Sequence, residues 1–483
     1  MPEPVRSGQR YLPGLDGLRA VAVLAVIAFH VQLGWAPGGL LGVGVFFTLS
    51  GYLITDLLLG RWSEDGKLHL GDFWLRRARR LLPAVFAMLA VVSAWVTVMD
   101  RSQLAGLRPA VAAAAGYVSN WYFIIQNNSY FARFGPPSPL NHLWSLAVEE
   151  QFYLAWPWLL LLGVWVLRSR REGGTRWLAL PTLLLGAGSA LAMAALYHPG
   201  FDPTRIYEGT DTRAFGLLAG AALAMVWPSR RRSRPRAPAR ALLDAGGIAG
   251  LAVIALEVWR VGQYSPFAYR GGLVILSLAT VGVLAAAACP GSLLGRALGI
   301  APLRWLGVRS YGIYLWHFPV IVLTSPPNSG EDLPRAAAQV TASILLAALS
   351  WRYLEEPVRR GALGRIWRQL RASGWRARSA GMQGWAALVA GSGVLVVACA
   401  GLSGTVPAAS SGPQASGTRP VAGGSKGRAA GTGAVPSPAG SGTPAGPLRT
   451  SCTAVAHIGD STSDGLNSPD YLPNPKLRIR AQY

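Results

Sequence analysis

The sequence predicts an all-α polytopic membrane protein, with ten core transmembrane helices, an eleventh further on, one re-entrant or interfacial helix, a flexible linker and a terminal fragment. Three observations carry that prediction. Of 483 residues, 51% are hydrophobic and 18 are tryptophan, and the mean hydropathy is positive at +0.32, which suits lipid-facing helices better than one soluble core. The apolar residues fall in runs of about span length, separated by short arginine-rich blocks. After about Ser403 the composition turns to Gly, Ala, Ser, Pro and Thr, which buries no core.

In chain order, apolar runs mark spans near Leu18 to Gly34, Leu40 to Leu59, Leu82 to Val98, Trp144 to Leu167, Leu178 to Tyr197 and Phe215 to Trp227. Others follow near Leu242 to Val258, Gly272 to Ala288, Val308 to Leu323, Ala336 to Tyr353 and, as the eleventh, Trp385 to Leu402. The positive-inside rule puts the N-terminus and the blocks Arg76 to Arg80, Arg168 to Arg176, Arg230 to Arg240 and Arg359 to Arg378 on the cytoplasmic side. All of these agree only if the apolar segment Pro109 to Ile125 does not cross, and the same parity puts the tail outside the cytoplasm. The resulting division is a membrane domain over 1–380, an added helix over 381–403, a linker over 404–447 and a terminal fragment over 448–483. No cleavable signal is expected, because the first apolar run leads through Trp-Ala-Pro-Gly-Gly into another span. The expected location is the plasma membrane of a bacterium.

The net charge of +23 does not point to nucleic acid, since its arginines occupy the loops where membrane orientation needs them. Cys289, Cys399 and Cys452 lack metal-ligand spacing, and no metal is expected. The lipid bilayer is the first partner implied, and oligomeric state is not legible.

Ionisable residues inside spans carry the functional signal, because each is costly in lipid. Arg19 and His30 lie eleven residues apart on the first span, about three turns, so they share one face roughly 16 Å apart. Arg76, Arg77, Arg79 and Arg80 enter the third span, and spacings of three and four put Arg76, Arg79 and Arg80 on one face. Such a cluster suits phosphates, or anchors lipid head groups. On the outer side, Ser145 and Glu149 share a helix face while Glu150 points about 100° away, so Glu149 is the carboxylate expected to meet His30. Asp211 and Arg213 begin another span, as an ion pair or as supporting groups. His317 lies at the same depth and, like Ser145 and Glu150, is a possible catalytic or supporting residue, the alternative being an interfacial or structural histidine. Glu355 and Glu356 are expected to pair with Arg76 to Arg80.

The stretches GLDGLRAVAVLAVIAFH, GVFFTLSGYLIT, FWLRRARRLLPA, NHLWSLAVEEQFYLAWP, DTRAFGLLAG, SYGIYLWHFP and YLEEPVRR, in this order, together resemble the membrane-bound acyltransferase-3 family over Tyr11 to Arg360. The resemblance implies an O-acyltransferase that moves an acyl group, often acetyl, from cytoplasmic acyl-CoA to a hydroxyl of an extracytoplasmic or lipid-linked glycan. It maps the family's signature cation and histidine onto Arg19 and His30, its arginine-rich stretch onto Arg76 to Arg80, and its carboxylate onto Glu149 and Glu150. In the tail, HIGDSTSDG is similar to the first block of SGNH hydrolases, which implies an α/β fragment with Ser461 as nucleophile. The Asp-x-x-His block that would activate it is missing, because no histidine follows His457, and a truncated domain is expected.

The expected chemistry therefore has Arg19 and the arginine cluster on the CoA phosphates, and His30 as general base or transient acyl carrier with Glu149 orienting it. A proton-coupled transporter is the alternative, since facing ionisable groups also build solute pathways. No internal repeat supports it.

Overall fold

A computed structural model of the chain describes residues 11–131, 138–166, 174–230, 235–326, 332–361 and 382–408. The chain divides into two units, Met1–Gln414 and Ala415–Tyr483, and every described residue belongs to the first. Among the described residues the regular structure is helical and no strand occurs. Ser461 and the tail fragment lie outside the described residues, as do the linker beyond residue 408 and the basic residues between 362 and 381.

Helix α1 (Pro13–His30) starts on a proline and carries Asp16 in its first turn, both favourable where backbone N–H groups lack partners. It is followed by α2 (Gly42–Asp65) and by α3 (Leu70–Met99). The latter begins twelve residues before the apolar run at Leu82, so the whole arginine block is helical and continuous with the span. The Pro109 to Ile125 segment folds as the end of α4 (Leu104–Ala115) and as α5 (Ser119–Ile125), broken at Tyr117, whose φ is 53°. Neither helix is long enough to cross a bilayer, which takes about 20 residues.

Next come α6 (Trp144–Val166), α7 (Ala179–Leu196), the short α8 (Thr204–Glu208), α9 (Thr210–Val226), α10 (Ala237–Arg260) and α11 (Leu273–Ala288). Short α12 (Leu293–Leu298) and α13 (Ala301–Val308) lead into α14 (Ser310–Thr324), α15 (Leu333–Ser350), α16 (Glu356–Arg359) and α17 (Met382–Leu402). Seven of the described helical segments are long and apolar enough to cross a membrane, and the outward leucines of α7, such as Leu184 and Leu191 at 64% and 69% exposure, make a lipid-facing surface. This is a multi-pass membrane protein.

Helices in lipid gain little from burying apolar surface and associate through close approach of small residues. Helices α2 and α9 do so twice: a Cβ on Gly51 would run into the Leu217 carbonyl, and one on Gly220 into that of Thr48. Helix α1 lies equally close to the α12–α13 corner, with Gly17 against Leu298 and Gly307 against Asp16. Helix α17 is clamped at its end by Arg108, which donates to the carbonyls of Gly401 at 2.9 Å and Val406 at 2.7 Å.

Two helix prolines shape the site. Proline has no N–H, so the carbonyl four residues earlier loses its helical partner. Pro157 of α6 thereby frees the Tyr153 carbonyl, which accepts from Trp74 Nε1 at 3.0 Å. Pro319 of α14 frees that of Leu315, which accepts from His142 Nε2 at 3.2 Å.

Candidate active site

The ionisable residues gather in two adjoining layers. The first is a cavity between α1, α2, α3, α6 and α14. At its cationic side, Arg19 Nε donates to Ser310 Oγ at 3.2 Å, and Arg77 and Arg80 project from one face of α3. The Arg77 guanidinium lies 4.8 Å from the centre of the Tyr153 ring, a cation–π contact. Tyr153 donates its hydroxyl to Glu149 at 3.0 Å, one helical turn away, and Glu150 also lines the space. The cavity ends on Ser145 and Tyr314, whose hydroxyls lie 2.7 Å apart.

The predicted arginine face is thus rotated by one position. Arg77 and Arg80 line the cavity, whereas Arg76 and Arg79 are exposed, and Arg76 makes a 3.8 Å surface pair with Asp72. The reason is the apolar face of α3, where Phe73, Ala84 and Met88 are buried and fix its rotation.

The second layer surrounds His30, and backbone carbonyls determine its proton positions, because a carbonyl can only accept. His30 Nδ1 lies 2.8 Å from the Val26 carbonyl and therefore carries the hydrogen. The lone pair is then on Nε2, which accepts from the Tyr130 hydroxyl at 2.8 Å. His317 Nδ1 donates to the Tyr314 carbonyl at 2.5 Å, so its Nε2 is the acceptor that faces His30 Nδ1 at 3.3 Å. His142, wholly buried, donates from Nε2 to Leu315 and leaves Nδ1 as a buried base without a partner. Among the described residues, no group of three or more His, Cys, Asp or Glu side chains could hold a metal ion.

Tyr130 reaches this layer from the segment after α5 and is held there from outside. Its N–H donates to Thr204 Oγ1 at 3.1 Å, Ser129 bonds to Asp202, and Tyr264 donates to the Phe131 carbonyl at 2.8 Å. Its ring stands 5.8 Å from that of Tyr207, over which the Arg213 guanidinium sits at 4.9 Å. Arg213 is buried, and none of its three nitrogens has a hydrogen-bond partner. Glu208 beside them is buried too, with Oε2 unpartnered; burial, reinforced by Asp202, pushes its carboxyl well above the ordinary carboxylate value.

Other sequence-based pairings are corrected. Glu149 does not orient His30, since both imidazole nitrogens have other partners and Glu149 accepts from Tyr153. Helix phase alone cannot say which neighbour a face meets, and the carboxylate lies on the cavity side. Asp211 pairs with Arg205, at 3.0 and 2.8 Å, and not with Arg213, because successive positions two apart point to different sides of α9. Glu356 pairs with Arg359 and Arg360; Glu355 alone has Arg80 within electrostatic reach. His317, expected at the depth of His30, is fully buried against it. Sequence reasoning did not single out Tyr130, Tyr153 or Tyr314, for tyrosines in a loop or an aromatic helix carry no distinguishing spacing.

A family model described as an acyltransferase domain, Acyl_transf_3, matches residues 12–352, which includes every residue of both layers. The chain belongs to the acyltransferase-3 family. Among curated relatives of this acyltransferase-3 chain, it is 47% identical over 355 residues to the putative peptidoglycan O-acetyltransferase YrhL of Bacillus subtilis, covering 72% of this chain and 55% of the relative. It is 46% identical over 370 residues to the peptidoglycan O-acetyltransferase OatA of Listeria monocytogenes, covering 74% and 58%. With the O-acetyltransferase OatA of Staphylococcus aureus the identity is 38% over 356 residues, covering 73% and 58%. The chain thus spans little more than half the length of these relatives. No solved structure matches it.

Proposed function

We propose that this acyltransferase-3 chain is a membrane O-acetyltransferase that takes an acetyl group from acetyl-CoA at the cytoplasmic face and delivers it to a hydroxyl of cell-wall peptidoglycan outside. The observation that carries the reading is the cavity itself, which runs from three guanidiniums to a hydroxyl pair abutting a histidine layer. The relatives' names support the acetyl group and the acceptor class. In this reading α1, α2, α3, α6, α7, α9, α10, α11, α14 and α15 cross the membrane, α4 and α5 do not, and α17 crosses last, with the N-terminus cytoplasmic. The linker over 404–447 and the fragment over 448–483, which carries Ser461 in an incomplete SGNH-like block, are then extracytoplasmic.

The donor fits the charges present: Arg19, Arg77 and Arg80 supply the fixed cations that CoA phosphates need. His30 is the general base, acting through Tyr130. As the acceptor oxygen attacks the thioester carbon, its proton passes to Tyr130 while the Tyr130 proton moves to His30 Nε2. The new C–O bond forms, the C–S bond breaks, and its electron pair leaves with the CoA sulphur. His317 accepts from His30 Nδ1 and stabilises the imidazolium that results.

Purified full-length chain, given radiolabelled acetyl-CoA and muropeptide oligomers, is expected to release free CoA thiol and to form a base-labile labelled glycan ester. Intact acetyl-CoA together with proton-coupled solute flux in vesicles would favour the transporter and overturn this reading.

A further inference from the structure

Tyr314 is where the two layers touch. Its hydroxyl lines the end of the cavity, shares the 2.7 Å hydrogen bond with Ser145 Oγ and lies 3.0 Å from the His142 carbonyl as donor. Its ring packs at 5.2 Å from that of His317 and 5.6 Å from that of His142, and its own carbonyl holds His317 Nδ1. The three histidines do not line the cavity; Tyr314 does. Tyr314 and Ser145 are 6% and 4% exposed, so their two hydroxyl protons are spent on each other and on one carbonyl. Ser145 Oγ is also 3.4 Å from that same carbonyl, so it can take over the bond to His142 whenever Tyr314 turns its proton elsewhere.

Charge fixes which way a thioester lies in this space. With the phosphates at Arg19, Arg77 and Arg80, the reactive carbonyl is at the opposite end, beside the hydroxyl pair. Resting on the acyltransferase reading above, we infer that Tyr314, backed by Ser145, is a catalytic residue that donates its O–H to the thioester oxygen as that oxygen becomes an oxyanion. Attack on the carbon moves the C=O electron pair onto the oxygen, and the Tyr314 proton hydrogen-bonds to it without being transferred. Ser145 meanwhile donates to the His142 carbonyl, leaving no buried acceptor bare. Collapse of the intermediate restores C=O and expels the thiolate, and Tyr314 returns to its starting bond.

The test uses the full chain reconstituted in vesicles. Tyr314→Phe keeps the ring packing and removes one donor, and loss of an oxyanion donor lowers kcat about 10²- to 10³-fold. The expected result is that loss with the acetyl-CoA KM unchanged, and a smaller loss, roughly tenfold, in Ser145→Ala, where the tyrosine donor remains. A trifluoroacetonyl thioether of CoA, which hydrates to a tetrahedral mimic, should bind Tyr314→Phe about 10²-fold more weakly, while CoA itself binds as before. Retained CoA binding establishes that the variant is folded. Unchanged kcat, a change in KM alone, or equal weakening of CoA and its tetrahedral mimic overturns the inference. Wild-type protein inert towards acetyl-CoA overturns the acyltransferase reading and this inference with it, whereas an active wild type with an unimpaired Tyr314→Phe overturns the inference alone.

Discussion

His30 Nε2 and the Tyr130 hydroxyl lie 2.8 Å apart, and the Val26 carbonyl on the other ring nitrogen makes the imidazole the acceptor of that bond. In the proposed mechanism the base is formed by a helix residue and a loop residue a hundred positions later. His30→Ala is expected to abolish acetyl transfer, and Tyr130→Phe to reduce kcat by about 10²- to 10⁴-fold, the usual range for a positioned proton-transfer group. Labelled-ester formation checks both. Transfer at near-normal rate in His30→Ala would remove the histidine from the mechanism.

The rotation of α3 makes the four arginines unequal. Arg77→Gln and Arg80→Gln should each raise the donor KM by about tenfold, in keeping with loss of one charge-assisted contact, while kcat changes little. Arg76→Gln and Arg79→Gln, exposed on the far side, should leave KM within about twofold. Steady-state kinetics at fixed salt separates the two pairs, and equal effects at all four would mean that the surface, not the cavity, holds the phosphates.

Glu208 gives the fold a pH dependence of definite sign. Its folded-state pKa is raised, so its favourable contribution is fully present below the unfolded value, about 4.3, and is lost as pH rises through the folded value. Glu208→Gln is neutral throughout. Its melting temperature should match wild type near pH 4 and exceed it by a margin that widens on going to about pH 8. Scanning fluorimetry in detergent reads that margin directly; a constant gap would mean that Glu208 titrates alike in the folded and unfolded chain.

Close helix contact is also testable. Gly220→Val drives a side chain into the Thr48 backbone and should cost about 2 kcal/mol or more, whereas Gly246→Val meets open space and should not lower the melting temperature. Equal destabilisation would trace the effect to helix propensity and not to the α2–α9 crossing.

The apolar runs at Trp144, Gly272 and Val308 foretold α6, α11 and α14 to within a few residues, because hydropathy is a local property. That Arg19 and arginines of α3 line one space was also readable, since charge inside a span needs a reason. What the chain did not disclose was which face meets which. Glu149 shares a helix face with Ser145, yet one lines the middle of the cavity and the other its end. Asp211 looked two residues along the chain to Arg213 but bonds to Arg205 in the preceding short helix. These choices follow from glycine-mediated crossings and loop anchoring between distant segments, which no single-helix pattern encodes.

The helix prolines have a wider consequence. In a lipid-embedded helix every main-chain oxygen is normally taken, so a side chain from elsewhere finds nothing to hold. By withholding one amide, Pro319 turns the Leu315 oxygen into a vacant socket, and the imidazole that plugs into it has its tautomer chosen by a residue four positions further along the helix. Pro319→Ala would close the socket and release His142 to either tautomer, a change of protonation pattern produced by a substitution that removes no titratable atom.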